Sequence, residues 1–384
     1  MHAGLFTYAW DLDAEGYDNA LGSISSAGFT AVNLASAYHA GKFLLPHNPR
    51  HRLYFPEDGA IYFSPDSSRY GRIQPRVSSL VGRGRDPLRD LDRERRKHGL
   101  ELVAWTVCLH NSWLGERFPD CCIHTAFGDP LIHSLSPAHP DVREYIQALV
   151  RDIVSAADVT GIQLESPEYM GFEHGYHHEV IGVPLDDSQR LLLSISFSEH
   201  EIQRAEREGI DPERLRHQVA DALDAGWNRP DDASSALDAV MSNPDFEAYG
   251  ALLTTIEAEF VSGICDAIHD ASPDTEIRFF AGMAASEENT GVPEHFIEHA
   301  GGMLTGYMPS DDAVRDRAAK LKSIMGDRPV YGMVRAISPD ADHPDQAASR
   351  VRAWKESEVD GIDVYNYGFM TRPMIDAVGN ALKS

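Results

Sequence analysis

Eight short apolar runs, each followed by an amphipathic run, alternate along this chain, and that alternation limits the fold more than any other feature. The strand-like runs cover 4–8, 30–34, 102–107, 161–165, 276–281, 302–307, 330–334 and 361–366. The helical runs cover 14–27, 86–98, 141–157, 244–271, 293–299, 311–325, 343–357 and 372–382. Eight such units predict one α/β domain over 1–384, a (β/α)8 TIM barrel. A doubly wound open sheet is the alternative, but no GxGxxG follows the first strand. The chain is longer than a barrel of about 250 residues needs. Its excess falls at 36–82, 108–139 and 166–243, after strands two, three and four. Loops that follow strands lie on the carboxyl-terminal face, where active sites of this fold sit.

Composition narrows the partners. There are 34 Lys and Arg against 60 Asp and Glu, a net charge of −26. Nucleic acid would be repelled. Only six of the basic residues are lysine. An acidic, lysine-poor surface predicts adaptation to salt, which screens the self-repulsion; an arginine-rich genome with an acidic proteome is the alternative. Cys108, Cys121, Cys122 and Cys265 form neither a disulfide framework nor a CxxC pair. The chain opens almost directly on a strand, with no leader pattern and no apolar run long enough to span a membrane. A soluble cytoplasmic enzyme is the expectation.

Gly161-Ile-Gln-Leu-Glu-Ser-Pro-Glu168 is a buried strand that ends in carboxylates. Period two puts Gln163 and Glu165 on one face, and likewise Tyr331, Met333 and Arg335, and Asp363 and Tyr365. The same rule groups Thr106, Cys108 and His110 on strand three and Met303, Thr305 and Tyr307 on strand six. The barrel mouth is therefore expected to carry Tyr8, Trp10, Asp11, Tyr38, His39, His110, Asn111, Trp113, Glu165, Glu168, Tyr307, Arg335, Tyr365 and Asn366, with His177 and His178 from the next loop. Aromatic faces stack on sugar rings, while carboxylates, amides and imidazoles bond hydroxyls. Any one of these aromatics could instead pack in the core; their coincidence at strand ends is the argument.

Glycoside cleavage needs a carboxylic acid at the leaving oxygen and a second carboxylate opposite. Glu165 is the candidate acid. Glu168, Asp11, Asp363 and Asp311 are candidates for the second. A structural reading pairs Glu165 with Arg335. With this set the chain resembles the (β/α)8 glycoside hydrolase superfamily, though no single characterised family. Glu165 stands where the superfamily's largest clan has its acid/base glutamate. Leu164 replaces the clan's preceding Asn, and Val334-Arg335-Ala336 replaces its strand-seven nucleophile. The resemblance implies a small-molecule or oligosaccharide substrate and no cofactor.

Two other readings stay open. His174, His177, His178 and Glu179, with His110, His124 and His133, suggest a metal-dependent sugar isomerase or hydrolase using Glu165 and Glu168. Their spacing fits no zinc motif, so no metal ligand is assigned. A barrel that binds carbohydrate without chemistry is the other. The loop from Tyr38 through Tyr62, rich in Gly, Pro and aromatics, is either a substrate wall or a packed cover. The charged helices near 198–243 are solvated faces or a subunit contact, which leaves a homo-oligomer open.

Overall fold

The computed structural model describes residues 1–176, 178–281, 293–306 and 308–384. The expected sites Tyr307 and His177 lie outside the described residues. Eight parallel strands close into a barrel: β1 (His2–Thr7), β2 (Ala31–Tyr38), β3 (Glu101–Val107), β4 (Gly161–Glu165), β5 (Glu276–Phe280), β6 (Gly302–Thr305), β7 (Val330–Arg335) and β8 (Gly361–Tyr365). β1 pairs with both β8 and β2, which completes the ring. The open-sheet alternative is thereby excluded.

The helices start where their chemistry says they should. Pro87, Pro140, Pro212, Pro244 and Pro344 occupy first turns, behind Asp86, His139, Asp211, Asn243 and His343, whose side chains accept from early backbone N–H groups. The helix expected at 14–27 is two helices, Ala9–Glu15 and Tyr17–Ala27, broken at Gly16 with φ 83°. Gly supplies that left-handed turn at little cost.

The strand faces differ from expectation on β3 and β6. Parallel register sets Trp105 beside Gln163, and Val103 beside Gly161, so β3 points Val103, Trp105 and Val107 inward. Thr106 bonds Ser36 (2.9 Å), and Cys108 lies toward Cys265 in the helix layer. On β6, Gly302 faces the barrel axis against Glu276 and Tyr331, whereas Thr305 accepts from Arg317 Nε at 3.0 Å in the outer helix Asp311–Met325. A one-residue slip exchanges the two faces of a strand completely.

The inside of the barrel is polar at its amino-terminal end. His2 lies 3.0 Å from Asp363, Arg278 pairs with Glu276 (2.7 Å), and Tyr331 donates to Glu276 (2.8 Å). The Arg278 guanidinium also stacks 4.0 Å from the Tyr331 ring. Gly4 makes room for this cluster, because a Cβ there would sit 1.9 Å from Asp363 Oδ1.

The insertion after β4 builds its own apolar cluster from helices within 187–271, including Leu215, Leu223, Tyr249 and Ile256. Buried Glu201 ties it down, accepting from Ser136 (2.8 Å), Tyr169 (3.0 Å), the Ser198 backbone (2.8 Å) and Ser196. Among the described residues, no helix is long and apolar enough to cross a membrane.

The charge balance makes stability depend on salt. At −26, long-range self-repulsion opposes the compact state. Salt shortens the screening length from about 10 Å at 0.1 M to about 3 Å at 1 M. The melting temperature is therefore expected to rise by several degrees between dilute buffer and molar KCl. A flat or falling curve by scanning calorimetry would remove the salt-adaptation reading.

Candidate functional site

β4 delivers Glu165 to the barrel mouth. Gly161, Gln163 and Glu165 alternate inward, and Ser166 then ends the strand in a left-handed turn with φ 50°. The Cys108 and Leu109 N–H groups donate to the Glu165 and Ser166 carbonyls (2.8 and 2.9 Å), which fastens the strand end to the neighbouring loop. The Trp105 indole N–H donates to Glu165 Oε2. That indole is wedged between Phe6 (ring centroids 5.0 Å), Tyr38 (4.8 Å) and Tyr8 (5.4 Å). Burial pushes the Glu165 carboxyl above its usual range; nearby His39 and the indole N–H only partly offset this.

Tyr38 and Tyr365 both lie within reach of the Glu165 charge. Tyr8 bonds Tyr38 at 2.9 Å and Tyr365 at 3.0 Å. Burial, followed by the Tyr365 and Glu165 charges, raises the Tyr38 phenol; burial also raises Tyr365. Both stay protonated and can donate. Glu168 lies on the far side of the turn, and burial together with Glu257 and Glu165 pushes it up to about 7. Glu257 in turn holds the Tyr169 N–H (2.9 Å) and pairs with His295 (3.0 Å).

His39 continues this set outward. It stacks on Tyr38 (4.2 Å) and on His110 (4.3 Å), and His110 meets His174 edge-on (4.2 Å). Burial and the surrounding imidazoles lower His110 to about 2, so it is neutral. With Asp58, Ser112 and Tyr176, the three imidazoles of His39, His110 and His174 line a cleft of about 270 Å³. Chemically the site offers a protonatable carboxyl, phenolic donors and neutral imidazoles.

Other expected residues are placed elsewhere. Tyr8 and Trp10 are buried and stack on each other at 4.3 Å, so their faces are closed to a ligand. Phe43 and Tyr54 pack over Trp10, so this part of the loop after β2 is a cover, while His39, Ala40 and Asp58 line the cleft. Asp11 is buried against Asn48 (3.2 Å); burial raises it to about 7, outside the cleft lining. Asn111 caps the helix Ser112–Arg117 by accepting from the Leu114 N–H. Trp113 carries the Arg117 and Arg76 guanidiniums at 4.4 and 5.5 Å. Asn366 is buried and accepts from the Gly368 N–H. Arg335 pairs with Asp340 (2.6 Å), and the bonding partner of Glu165 is Trp105. His178 is exposed. Asp311 pairs with Arg350 (2.7 Å), and Asp363 belongs to the opposite end of the barrel.

Trp105 is absent from the expected mouth residues because the sequence pattern favours the other face of strand three. Its effect is testable by itself. The N–H stabilises the ionised carboxyl, so Trp105→Phe should move the Glu165 titration to higher pH, read by ¹³C NMR of the labelled side chain. An unchanged titration would remove the indole from the site.

Among the described residues, one group of side chains converges closely enough for an ion: Asp120, Cys121 and His139. Arg72 already supplies a cation there, 2.7 Å from Asp120 and 2.9 Å from Asp141. The cleft histidines pack ring against ring. Among the described residues near Glu165, no three such side chains converge in this way.

These features define a (β/α)8 barrel with a carboxyl-bearing mouth. The chain is similar in fold to α-L-fucosidase isoenzyme 2 from Paenibacillus thiaminolyticus (TM-score 0.57, 11% identity, 100% of this chain and 49% of that one). It is likewise similar to the β-galactosidase of the Antarctic haloarchaeon Halorubrum lacusprofundi (0.61, 12%, 100% and 58%). The catalytic domain of β-amylase from Paenibacillus polymyxa also aligns (0.57, 9%, 99% and 96%). The chain spans about half to three-fifths of the first two. At such identities the likeness is one of fold. No family model and no curated protein matches the chain.

Proposed function

We propose that this protein hydrolyses glycosidic bonds, with Glu165 as general acid/base. The observation that carries the reading is a carboxyl at the end of β4, aimed into the mouth and pushed by burial toward its protonated form. A neutral carboxylic acid at that point can hand its proton to the departing glycosidic oxygen. Of the four sequence candidates for a second carboxylate, Glu168 is the one whose charge couples to Glu165, but it couples more strongly to Glu257 in the helix layer, so no partner acid is assigned. His39, His110 and Asp58, which line the cleft, bond the hydroxyls of the sugar. The shared fold of three glycoside-cleaving enzymes agrees with this class.

The test is a panel of glycosides in high and low salt, with wild type beside Glu165→Gln. Turnover that collapses in the variant supports the assignment. Sugar binding without turnover would leave a carbohydrate-binding barrel. That second reading is favoured by the end of β7, which carries Arg335 rather than an acid.

A further inference from the structure

We infer that Asp120, Cys121 and His139 bind a zinc ion, at a site separate from the histidine cleft. None of the three lines that cleft, and the inference stands whether or not Glu165 cleaves glycosides. Three kinds of donor meet here. His139 Nε2 lies 3.6 Å from Asp120 Oδ2 and 3.7 Å from Cys121 Sγ, and Sγ lies 4.0 Å from Oδ2. The triangle is nearly equilateral. Zinc bonds of about 2.0–2.3 Å at tetrahedral angles set ligand atoms about 3.3–3.6 Å apart, so each edge needs to shorten by only a few tenths of an ångström. The ring of His200 stands edge-on to His139 at 4.5 Å, so a further imidazole or a water can complete the tetrahedron.

The donor set selects the ion. A thiolate with an imidazole suits zinc, whereas magnesium and calcium take oxygen ligands. Cys121 and His139 are buried, while Asp120 is exposed and opens the way in. Asp120 also borders a recess of about 520 Å³ that carries Glu199, Glu206 and Glu213. Arg216 in that recess is taken up by Glu213 at 2.8 Å. A concave surface rich in carboxylates draws cations toward the triangle.

Two existing contacts oppose the ion, and both can yield. Arg72 Nη1 lies 2.7 Å from Asp120 Oδ2, 2.9 Å from Asp141 and 3.8 Å from Cys121 Sγ, and Nη2 lies 3.1 Å from Asp120 Oδ1. That side chain is 45% exposed, so it can leave Oδ2 and keep Asp141 and Oδ1. An exposed ion pair contributes little, far less than zinc bound to a thiolate. His139 Nδ1 accepts the Asp141 N–H at 3.2 Å. Zinc on Nε2 moves the ring proton to Nδ1 and gives up that helix cap. The Cys121 thiol proton goes to solvent as the zinc–sulfur bond forms.

Cobalt titration of the chelator-treated full chain tests this, because a thiolate bound to cobalt gives a near-ultraviolet charge-transfer band that carboxylates alone do not. Wild type should take up one cobalt per chain with that band. Zinc should displace it, and excess magnesium should not. Cys121→Ser should lose the band. His139→Asn, which keeps a helix-capping side chain, should weaken binding by about tenfold or more. Cys122→Ala should keep the band, since Cys122 Sγ lies toward the Phe118 carbonyl. Arg72→Ala, which removes a competing cation, should bind about tenfold more tightly. No band in wild type, or a band unchanged in both Cys121→Ser and His139→Asn, would overturn the inference. A band that appears only in Arg72→Ala would also overturn it, because the guanidinium would then hold the cation's place in the native protein.

Discussion

Glu165→Gln should lower kcat on glycosides with poor leaving groups by about 10²- to 10⁴-fold, the usual contribution of a positioned general acid/base. The substitution is nearly isosteric. The Trp105 N–H still finds an oxygen to donate to, and a buried ionisable group is removed, so folding should survive. Circular dichroism of the two proteins should coincide. Leaving-group chemistry separates acid catalysis from a positional effect. A nitrophenolate departs without help, so on nitrophenyl glycosides the first step should be much less damaged. The pH profile carries the sign. The acid must be protonated to act, so the wild-type rate falls as pH rises through the elevated Glu165 titration. That limb should vanish in the variant. Equal loss on every leaving group, with the limb intact, would remove Glu165 from the proton transfer.

Arg278→Met should destabilise the protein by about 3–5 kcal/mol, the cost of leaving buried charges without their partner. Against a total of about 5–15 kcal/mol this is a large fraction. Arg278 is buried, pairs with Glu276 at 2.7 Å and lies 3.9 Å from fully buried Asp363. Removing the charges together, by Arg278→Met with Glu276→Gln and Asp363→Asn, should recover much of the loss. Urea unfolding measures both. A single variant within about 1 kcal/mol of wild type would contradict the buried network.

The same cluster sets a pH window. Burial alone would raise Asp363, but His2 and Arg278 outweigh it and hold its carboxyl below the usual 3.8. Its contribution is present above that value and is lost as pH falls through the depressed titration. Burial alone would lower His2, but Asp363 and Glu101 outweigh it and raise the imidazole above 6.5. Its contribution is complete below 6.5 and is lost as pH rises through the raised titration. The two overlap fully between about 4 and 6.5, so the cluster stabilises most there.

How much of this was legible beforehand differs from element to element. The alternation of period-two and period-3.6 runs is local, and it marked all eight strands within a few residues. Glu165 was legible because a charged residue ending an apolar strand stands out in a short window. Glu276-Ile-Arg278 was a readable sign of a polar interior, since charges at i and i+2 in a buried strand must share one face. Its partners were not readable: His2 lies 276 residues from Arg278, and only closure of the ring brings them together.

By itself, then, the sequence determined the order of the β/α units and the position of Glu165 at a strand end. Propensity, capping and turn chemistry act over a few residues, and that range suffices for those features. Tertiary structure alone decided that Trp105 rather than Thr106 faces the barrel axis. It alone closed Tyr8 and Trp10 beneath the cover, and it alone set Asp363 and Asp311 apart from Glu165. Each depends on strand register and barrel closure. A shift of one residue in pairing turns a strand inside out, and the pairing is settled by contacts between segments far apart in the chain.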